Sequence, residues 1–197
     1  MLYSDDFGRN WSVLGDSYKV CVPKGDEPKC EELPNGDVVI SSRKEGGRYF
    51  NIFHYSDQKR ALGKWDKAVD SRNCPGGISN EGSPTNGEIM IVEAKNAKGK
   101  KTHFALQSIP AGPGRQNVSI YYKELASEAD FASPEAFASH WRGIYQVSHK
   151  NSAYSTFTRL TDGRIGFYYE EEPLNYQMVF VPLTIEQITK RCEARTF

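Results

Sequence analysis

Five polar side chains in this sequence have the chemistry to build a site: Glu27, Arg43, Arg115, Tyr154 and Glu170. A guanidinium presents a planar fork of donors that grips a carboxylate at two points and keeps its charge at any working pH. A tyrosine, with a reference pKa of about 10, is a poor nucleophile until a base takes its proton, and a buried carboxylate is such a base. Each residue also has an ordinary reading. An arginine ending a strand is usually a surface ion-pair partner, a tyrosine is usually core or rim, and the acidic run Glu170-Glu171-Glu172 reads by default as an exposed strand end. Glu31 and Glu32 compete with Glu27, and Arg48, after Gly46-Gly47, competes with Arg43. His54, His103, His140 and His149 show no ligand spacing, so metal binding is not expected. Cys21, Cys30, Cys74 and Cys192 contain no C-x-x-C pair and are too few and too far apart for a disulfide scaffold, although a Cys21–Cys30 bridge stays open.

The elements that must position these residues are short strands. With 17 Gly and 10 Pro punctuating a chain of 197 residues that also holds 11 Tyr and 10 Phe, the composition favours an all-β fold. The length suits one domain or part of a larger one. Strands are predicted at 18–22, 38–42, 49–55, 89–94, 103–107, 118–124, 155–160, 165–169 and 177–182, separated by turns such as Pro34-Asn35-Gly36-Asp37 and Thr161-Asp162-Gly163-Arg164. Two helices interrupt them. Ser133-Pro134 reads as an N-cap with proline in the first turn, and 184–194 carries a Thr184-x-x-Gln187 capping box before Ile185 and Ile188 at helical spacing. The lysine-rich stretch 96–101 reads as a solvated hairpin turn. A formal net charge of zero leaves no global positive field for polyphosphate, which argues against a nucleic-acid partner. No apolar run approaches the roughly 18–20 residues of a membrane span, and the first residues lack the basic and apolar regions of a signal peptide.

Segment 4–11 has the form Ser-x-Asp-x-Gly-x-x-Trp, a turn in which the Asp6 carboxylate can bond loop amides while the Trp11 indole covers the hairpin. A degraded copy follows at Tyr55-Ser56-Asp57 and Gly63-Lys64-Trp65, placing the two tryptophans 54 residues apart. Propeller blades of four strands recur at roughly 40–50 residues, so this chain has room for about four at most.

Segment 4–11 resembles the Asp-box of the bacterial sialidase (neuraminidase) superfamily, and further segments resemble that family in order and approximate spacing. In 27–43, a glutamate precedes a turn and a strand that ends in arginine, sixteen positions on. In 110–120, a Gly-Pro-Gly loop delivers Arg115 just before a strand; Ser152-Ala153-Tyr154-Ser155 is similar to the family's tyrosine turn, and 165–170 to a strand ending in glutamate. The resemblance implies part of a six-bladed β-propeller, with roughly three to four blades present over residues 1–197. It implies an exo-α-sialidase that removes terminal sialic acid from glycoconjugates with retention. Tyr154 would be the nucleophile, Glu27 its base, Arg43 and Arg115 the binders of the substrate carboxylate, and Glu170 a support that holds an arginine. Most retaining glycosidases attack with a carboxylate, but here an anionic nucleophile would approach the substrate's own carboxylate, and a phenol avoids that repulsion.

The same resemblance implies no cofactor, a sialylated glycan as substrate, and a secreted, periplasmic or cell-surface location. The family's first arginine and its acid aspartate have no counterpart in this sequence. The resemblance therefore covers the C-terminal portion of a catalytic domain, expected to be feeble alone and to need further blades or self-association to cover its apolar faces. A different class of reading is a non-catalytic Asp-box propeller piece that binds glycans or proteins through its loops. Convergence of Glu27, Arg43, Arg115 and Tyr154 in one cleft separates the two readings.

Overall fold

The computed structural model describes residues 1–80, 85–172 and 177–193. Fourteen strands and two short helices make up most of it. A hairpin of β1 (Leu2–Tyr3) and β2 (Ser12–Val13) is followed by β3 (Asp26–Glu32), β4 (Val38–Lys44), β5 (Gly47–Asp57), β6 (Leu62–Trp65) and β7 (Val69–Asp70). Next come β8 (Ile89–Lys95), β9 (Lys101–Pro110), β10 (Val118–Leu125), helix α1 (Pro134–Ala138) and β11 (Arg142–Gln146). The chain continues through β12 (Ser152–Arg159), β13 (Ile165–Glu171), β14 (Gln177–Leu183) and helix α2 (Ile185–Glu193). The strands pair antiparallel, and between chain neighbours except that β7 pairs with β5, giving sheets ordered β3-β4-β5-β6, then β11-β10-β9-β8, and β12-β13-β14.

The middle sheet is buried on both faces, and its sequence shows why. Ala105 and Ile109 of β9 face a core shared with Val39, Phe50 and Ile52 of the preceding sheet, while Phe104 and Leu106 face a second core with Phe157, Phe167 and Ile188. This period-two alternation between two apolar cores turns β8 to β10 into nearly continuous hydrophobic runs. The edge strands β3, β8 and β12, each the first of its sheet, meet along polar contacts. Arg159 of β12 donates to Glu31 of β3 at 2.7 Å and to the carbonyl of Ile91 in β8 at 2.9 Å.

Eight of the nine predicted strands overlap observed ones. The exception is 18–22, which forms turns and bends: Tyr18 and Val20 are exposed, and the Asp16 side chain accepts from the Tyr18 amide at 2.9 Å to build a turn there. Apolar side chains without a neighbouring strand cannot complete a ladder. Cys21 and Cys30 are both free thiols, so the open possibility of a bridge is not realised. The Ser133 hydroxyl oxygen accepts from the Ala136 amide, and Thr184 and Gln187 bond reciprocally at the start of α2; residue 194, the predicted end of that helix, lies outside the described residues. In segment 4–11 the Asp6 carboxylate accepts from the Asn10 amide at 2.9 Å and the Trp11 indole donates to the Gly8 carbonyl at 3.1 Å. The later segment closes differently. Asp57 caps a single 3-10 turn, and the Trp65 indole reaches back to the Leu14 carbonyl at 3.0 Å, pinning the N-terminal hairpin to β6.

One buried cation went unread in the sequence. Lys123, on β10 and only 3% exposed, donates to the carbonyls of Ala136, of Phe137 at 3.3 Å and of Ser139 at 2.8 Å, closing the C-terminal end of α1. Burial pushes its pKa down to about 8, which still leaves it protonated at neutral pH. Replacing Lys123 with Met strands these carbonyls, so the variant is expected to lose about 2–3 kcal/mol, read as a fall of roughly 5–10 °C in melting temperature.

Candidate active site

Glu27 sits in a bulge of β3, where the register with β4 slips between Asp26 and Lys29. Its backbone lies in the left-handed region at φ 42°, a conformation that strains a side-chain-bearing residue. Gly25 permits the kink: a Cβ there would meet the Ser42 hydroxyl at 2.2 Å. Arg43 lies near the end of β4, directly across from Asp26. The bulge therefore aims the Glu27 carboxylate across the strand end, where its Oε2 lies 2.9 Å from Arg43 Nη1. That contact is an ion pair without hydrogen-bond alignment. The Glu27 carboxylate holds the Arg43 guanidinium above its usual pKa, against a smaller opposing effect of burial.

Tyr154, the third residue of β12, closes a triangle. Its hydroxyl donates to Glu27 Oε1 at 3.3 Å and accepts from Arg43 Nη1 at 3.3 Å. These are long for hydrogen bonds, as is common at catalytic groups without substrate. The polarity is the one needed to activate a phenol: a carboxylate is placed to take the proton, and a cation to stabilise the oxygen left behind. Arg115 stands over the ring of Tyr154, its guanidinium carbon 5.6 Å from the centroid, on an exposed part of the loop between β9 and β10. That loop is zipped to the tyrosine strand. The Ser152 amide donates to the Arg115 carbonyl at 2.9 Å, the Asn117 amide to the Lys150 carbonyl at 3.0 Å, and the Val118 amide to the Ser152 hydroxyl at 2.9 Å. Glu170, on β13, accepts from the Tyr154 backbone amide at 3.4 Å. Among the described residues its contact is thus with the tyrosine turn.

Arg48, the competitor of Arg43, occupies a different place. It lies opposite Arg43 in the β4–β5 register but is 1% exposed, donating to the Ser41 hydroxyl at 3.0 Å and to the carbonyls of Thr85 at 3.2 Å and Gly87 at 3.4 Å. Burial pushes its pKa down to about 9, so it remains a cation beneath the site at neutral pH. Glu31 and Glu32 are also elsewhere: Glu31 pairs with Arg159, and the Glu32 amide bonds the neighbouring Glu31 side chain. No group of three or more histidine, cysteine or acidic side chains fit to hold a metal occurs among the described residues.

These distances can be set beside known proteins. The "Sialidase" of Vibrio cholerae, from two strains of serotype O1, is 25% identical to this chain over 203 residues, covering 93% of the chain and 24% of the relative. This similarity supports assigning the chain to the sialidase superfamily. The chain spans about a quarter of the length of the curated sialidases it matches. Similar solved structures are the NanB sialidase of Streptococcus pneumoniae, with a TM-score of 0.69, 19% identity and coverage of 95% of this chain and 27% of that one. An intramolecular trans-sialidase from Ruminococcus gnavus superposes with a TM-score of 0.62 at 22% identity, over 95% of this chain and 38% of that one. No family model matches the sequence. The sialidase kinship and the antiparallel sheets agree on the fold, and no helix among the described residues is long and apolar enough to cross a membrane.

Beside the site, Glu171 anchors the segment that leads into the tyrosine strand. It accepts from the Ser148 hydroxyl at 2.6 Å, from Lys150 Nζ at 2.9 Å and from the Tyr169 hydroxyl at 3.3 Å. Burial raises its pKa, but these donors together outweigh burial and hold the carboxyl below its usual range, while burial and Glu171 push Tyr169 up to about 12. Between the folded and unfolded pKa values of Glu171 the unfolded chain binds more protons. The stabilisation is complete above the unfolded value of 4.5 and is lost as pH falls through the lower folded value. Melting temperatures recorded from about pH 6 down to 3 are expected to fall less steeply in Glu171→Gln than in the wild type.

Proposed function

We propose that this chain supplies the nucleophile, its base and two arginines of an exo-α-sialidase site that releases terminal sialic acid from glycoconjugates with retention. The observation that carries this reading is the triangle of Glu27, Arg43 and Tyr154, with separations of 2.9, 3.3 and 3.3 Å. In the proposed reaction Arg43 and Arg115 hold the sugar's carboxylate. Glu27 takes the phenolic proton, and Tyr154 Oη forms a bond to the anomeric carbon as the glycosidic bond breaks. The departing alkoxide takes a proton from an acid outside these five residues. Water then attacks the anomeric carbon as its bond to Tyr154 Oη breaks; the water's proton resets that external acid, and Glu27 returns the phenolic proton to Tyr154, freeing the sugar. Glu170 fixes the backbone that carries the nucleophile.

The three sheets, with β3, β8 and β12 innermost, are read as blades of a propeller, and segment 4–11 as its Asp-box. Kinship with sialidases supports a sialylated glycan as substrate and an extracellular or surface location. The reading also keeps the chain as the C-terminal part of a larger catalytic unit. Its apolar blade faces would then be covered by further blades or by a second copy.

The test is binding of N-acetylneuraminic acid and of its methyl ester to the 197-residue chain, followed by heteronuclear NMR. The free acid is expected to shift the Arg43, Arg115 and Tyr154 resonances, and the ester, which lacks the anion, to bind at least about tenfold more weakly. Equal binding of both, or shifts remote from these residues, would refute the reading.

A further inference from the structure

Below the Glu27–Tyr154 contact lies a second polar rung that neither the composition nor the spacing pointed to. Glu88, at the foot of β8, accepts from the Thr156 hydroxyl at 2.9 Å and pairs with Lys29 Nζ at 3.3 Å, with its side chain 15% exposed. Thr156 is two residues beyond Tyr154 on β12, just past the register shift between Ser152 and Ser155, and like Tyr154 it is half-buried. Lys29 is two residues beyond Glu27 on β3, just past the bulge. A single carboxylate on β8 thus ties together the two strands that bring nucleophile and base into contact. Its own position is set from below. The Arg48 fork holds the carbonyls of Thr85 and Gly87, the Glu88 amide donates to the Ser108 hydroxyl at 3.0 Å, and that hydroxyl meets the Ser155 hydroxyl at 2.8 Å. The strand between Tyr154 and Thr156 is therefore held at Ser155 as well.

From this geometry we infer that Glu88, seated on Arg48, is a positioning residue that sets the distance between the Glu27 carboxylate and the Tyr154 oxygen. The inference rests on the sialidase reading and extends it to residues that touch no substrate. Three edge strands of separate sheets have no shared backbone ladder, so their spacing at the site depends on side-chain ties such as this one. The contacts of Tyr154 are already long, and a shift of about 1 Å at a reacting pair can cost on the order of 10²-fold in rate.

The probe is 2,3-difluorosialic acid with the full 197-residue chain, followed by intact mass spectrometry. Labelling forms a bond from the anomeric carbon to Tyr154 Oη and breaks the carbon–fluorine bond. Fluoride leaves with the electron pair, and the phenolic proton passes to Glu27. Because fluoride departs without a proton, no general acid is needed. Glu88→Gln and Thr156→Val are each expected to lower the maximal labelling rate about 10–100-fold while the half-saturating probe concentration changes by less than about twofold. Thr156→Ser, which keeps the hydroxyl, is expected to stay within about threefold of wild type. Near-ultraviolet circular dichroism identifies folded protein, and Glu88→Gln, which keeps the volume and one acceptor, carries the test if Thr156→Val does not fold. Wild-type maximal rates in folded Glu88→Gln, or a loss seen only in half-saturation, would overturn the positioning role alone. A wild-type chain that takes no label at Tyr154 would overturn the sialidase reading and this inference with it.

Discussion

Tyr154→Phe is expected to abolish the covalent sialyl adduct. With a fluorinated sialoside, the rate of mass increase should drop by on the order of 10³-fold or more, because the oxygen that contacts both Arg43 and Glu27 is removed. The change removes one atom and leaves the rest of the constellation intact. The Arg43–Glu27 ion pair at 2.9 Å does not involve the phenol oxygen, and the phenylalanine ring keeps its face toward Arg115. Both lost hydrogen bonds are 3.3 Å long, so the stability cost should stay within about 1 kcal/mol. Binding of N-acetylneuraminic acid should persist, since in the proposed reaction its carboxylate is held by the arginines. A phenol is the suitable nucleophile because a carboxylate in its place would face the substrate's own anion across a few ångströms. An adduct formed at the wild-type rate by Tyr154→Phe would refute the assignment.

The sequence carried most of this arrangement where local chemistry and fold agree. Strands 38–42, 89–94 and 165–169 were legible because burial on one or both faces leaves a period-two or continuous apolar signature. The cap at Ser133 is legible from the proline that follows it in the first turn, and the cap at Thr184 from the glutamine three residues on. Strand β3 was not. Its sequence Asp-Glu-Pro-Lys-Cys-Glu-Glu has one proline and five charged residues among seven, and such a strand survives only as an edge whose side chains pair with other sheets. The expectation that Glu27 precedes a turn and then a strand missed that it lies within a strand, at a bulge. β11 was missed for a similar reason, since its pattern is largely exposed. Segment 18–22 misled in the other direction: Tyr and Val favour a strand only where a partner exists to receive them.

Among the side chains of the proposed site, Tyr154, Glu27, Arg43 and Arg115 are visible through a family resemblance, not through periodicity. Glu88, Thr156 and Lys29 had no such signal. Their meeting depends on three sheets converging, which links residues 29, 88 and 156 across more than a hundred positions of chain. Arg48 rivals Arg43 on sequence alone, and the distinction between them lies in depth. Two arginines opposite each other in one register point to the same face, yet one ends beside the phenol and the other among backbone carbonyls.

Glu27→Gln separates proton transfer from binding at the same position. Glutamine keeps the shape of the side chain and still offers an oxygen to the phenol, but its amide cannot remove a proton at neutral pH. The maximal rate of adduct formation is expected to fall by about 10²–10⁴-fold, the range for loss of a positioned general base. The half-saturating concentration should move little or improve. In the wild type Arg43 Nη1 is shared between the Glu27 carboxylate and the phenol, so removing that anion leaves the guanidinium freer to meet the sugar's carboxylate. Rate and affinity would then change in opposite senses. A lost affinity with a preserved maximal rate would instead make Glu27 a holder of Arg43, and the base would have to be sought elsewhere. The left-handed backbone at Glu27 adds a second readout. Glu27→Gly removes both the carboxylate and the strain of φ 42°, so its rate should fall at least as far as that of the glutamine variant. Its stability should exceed that of Glu27→Ala by about 1 kcal/mol, measurable by urea unfolding, as expected of a bulge that aims a carboxylate at the cost of local strain.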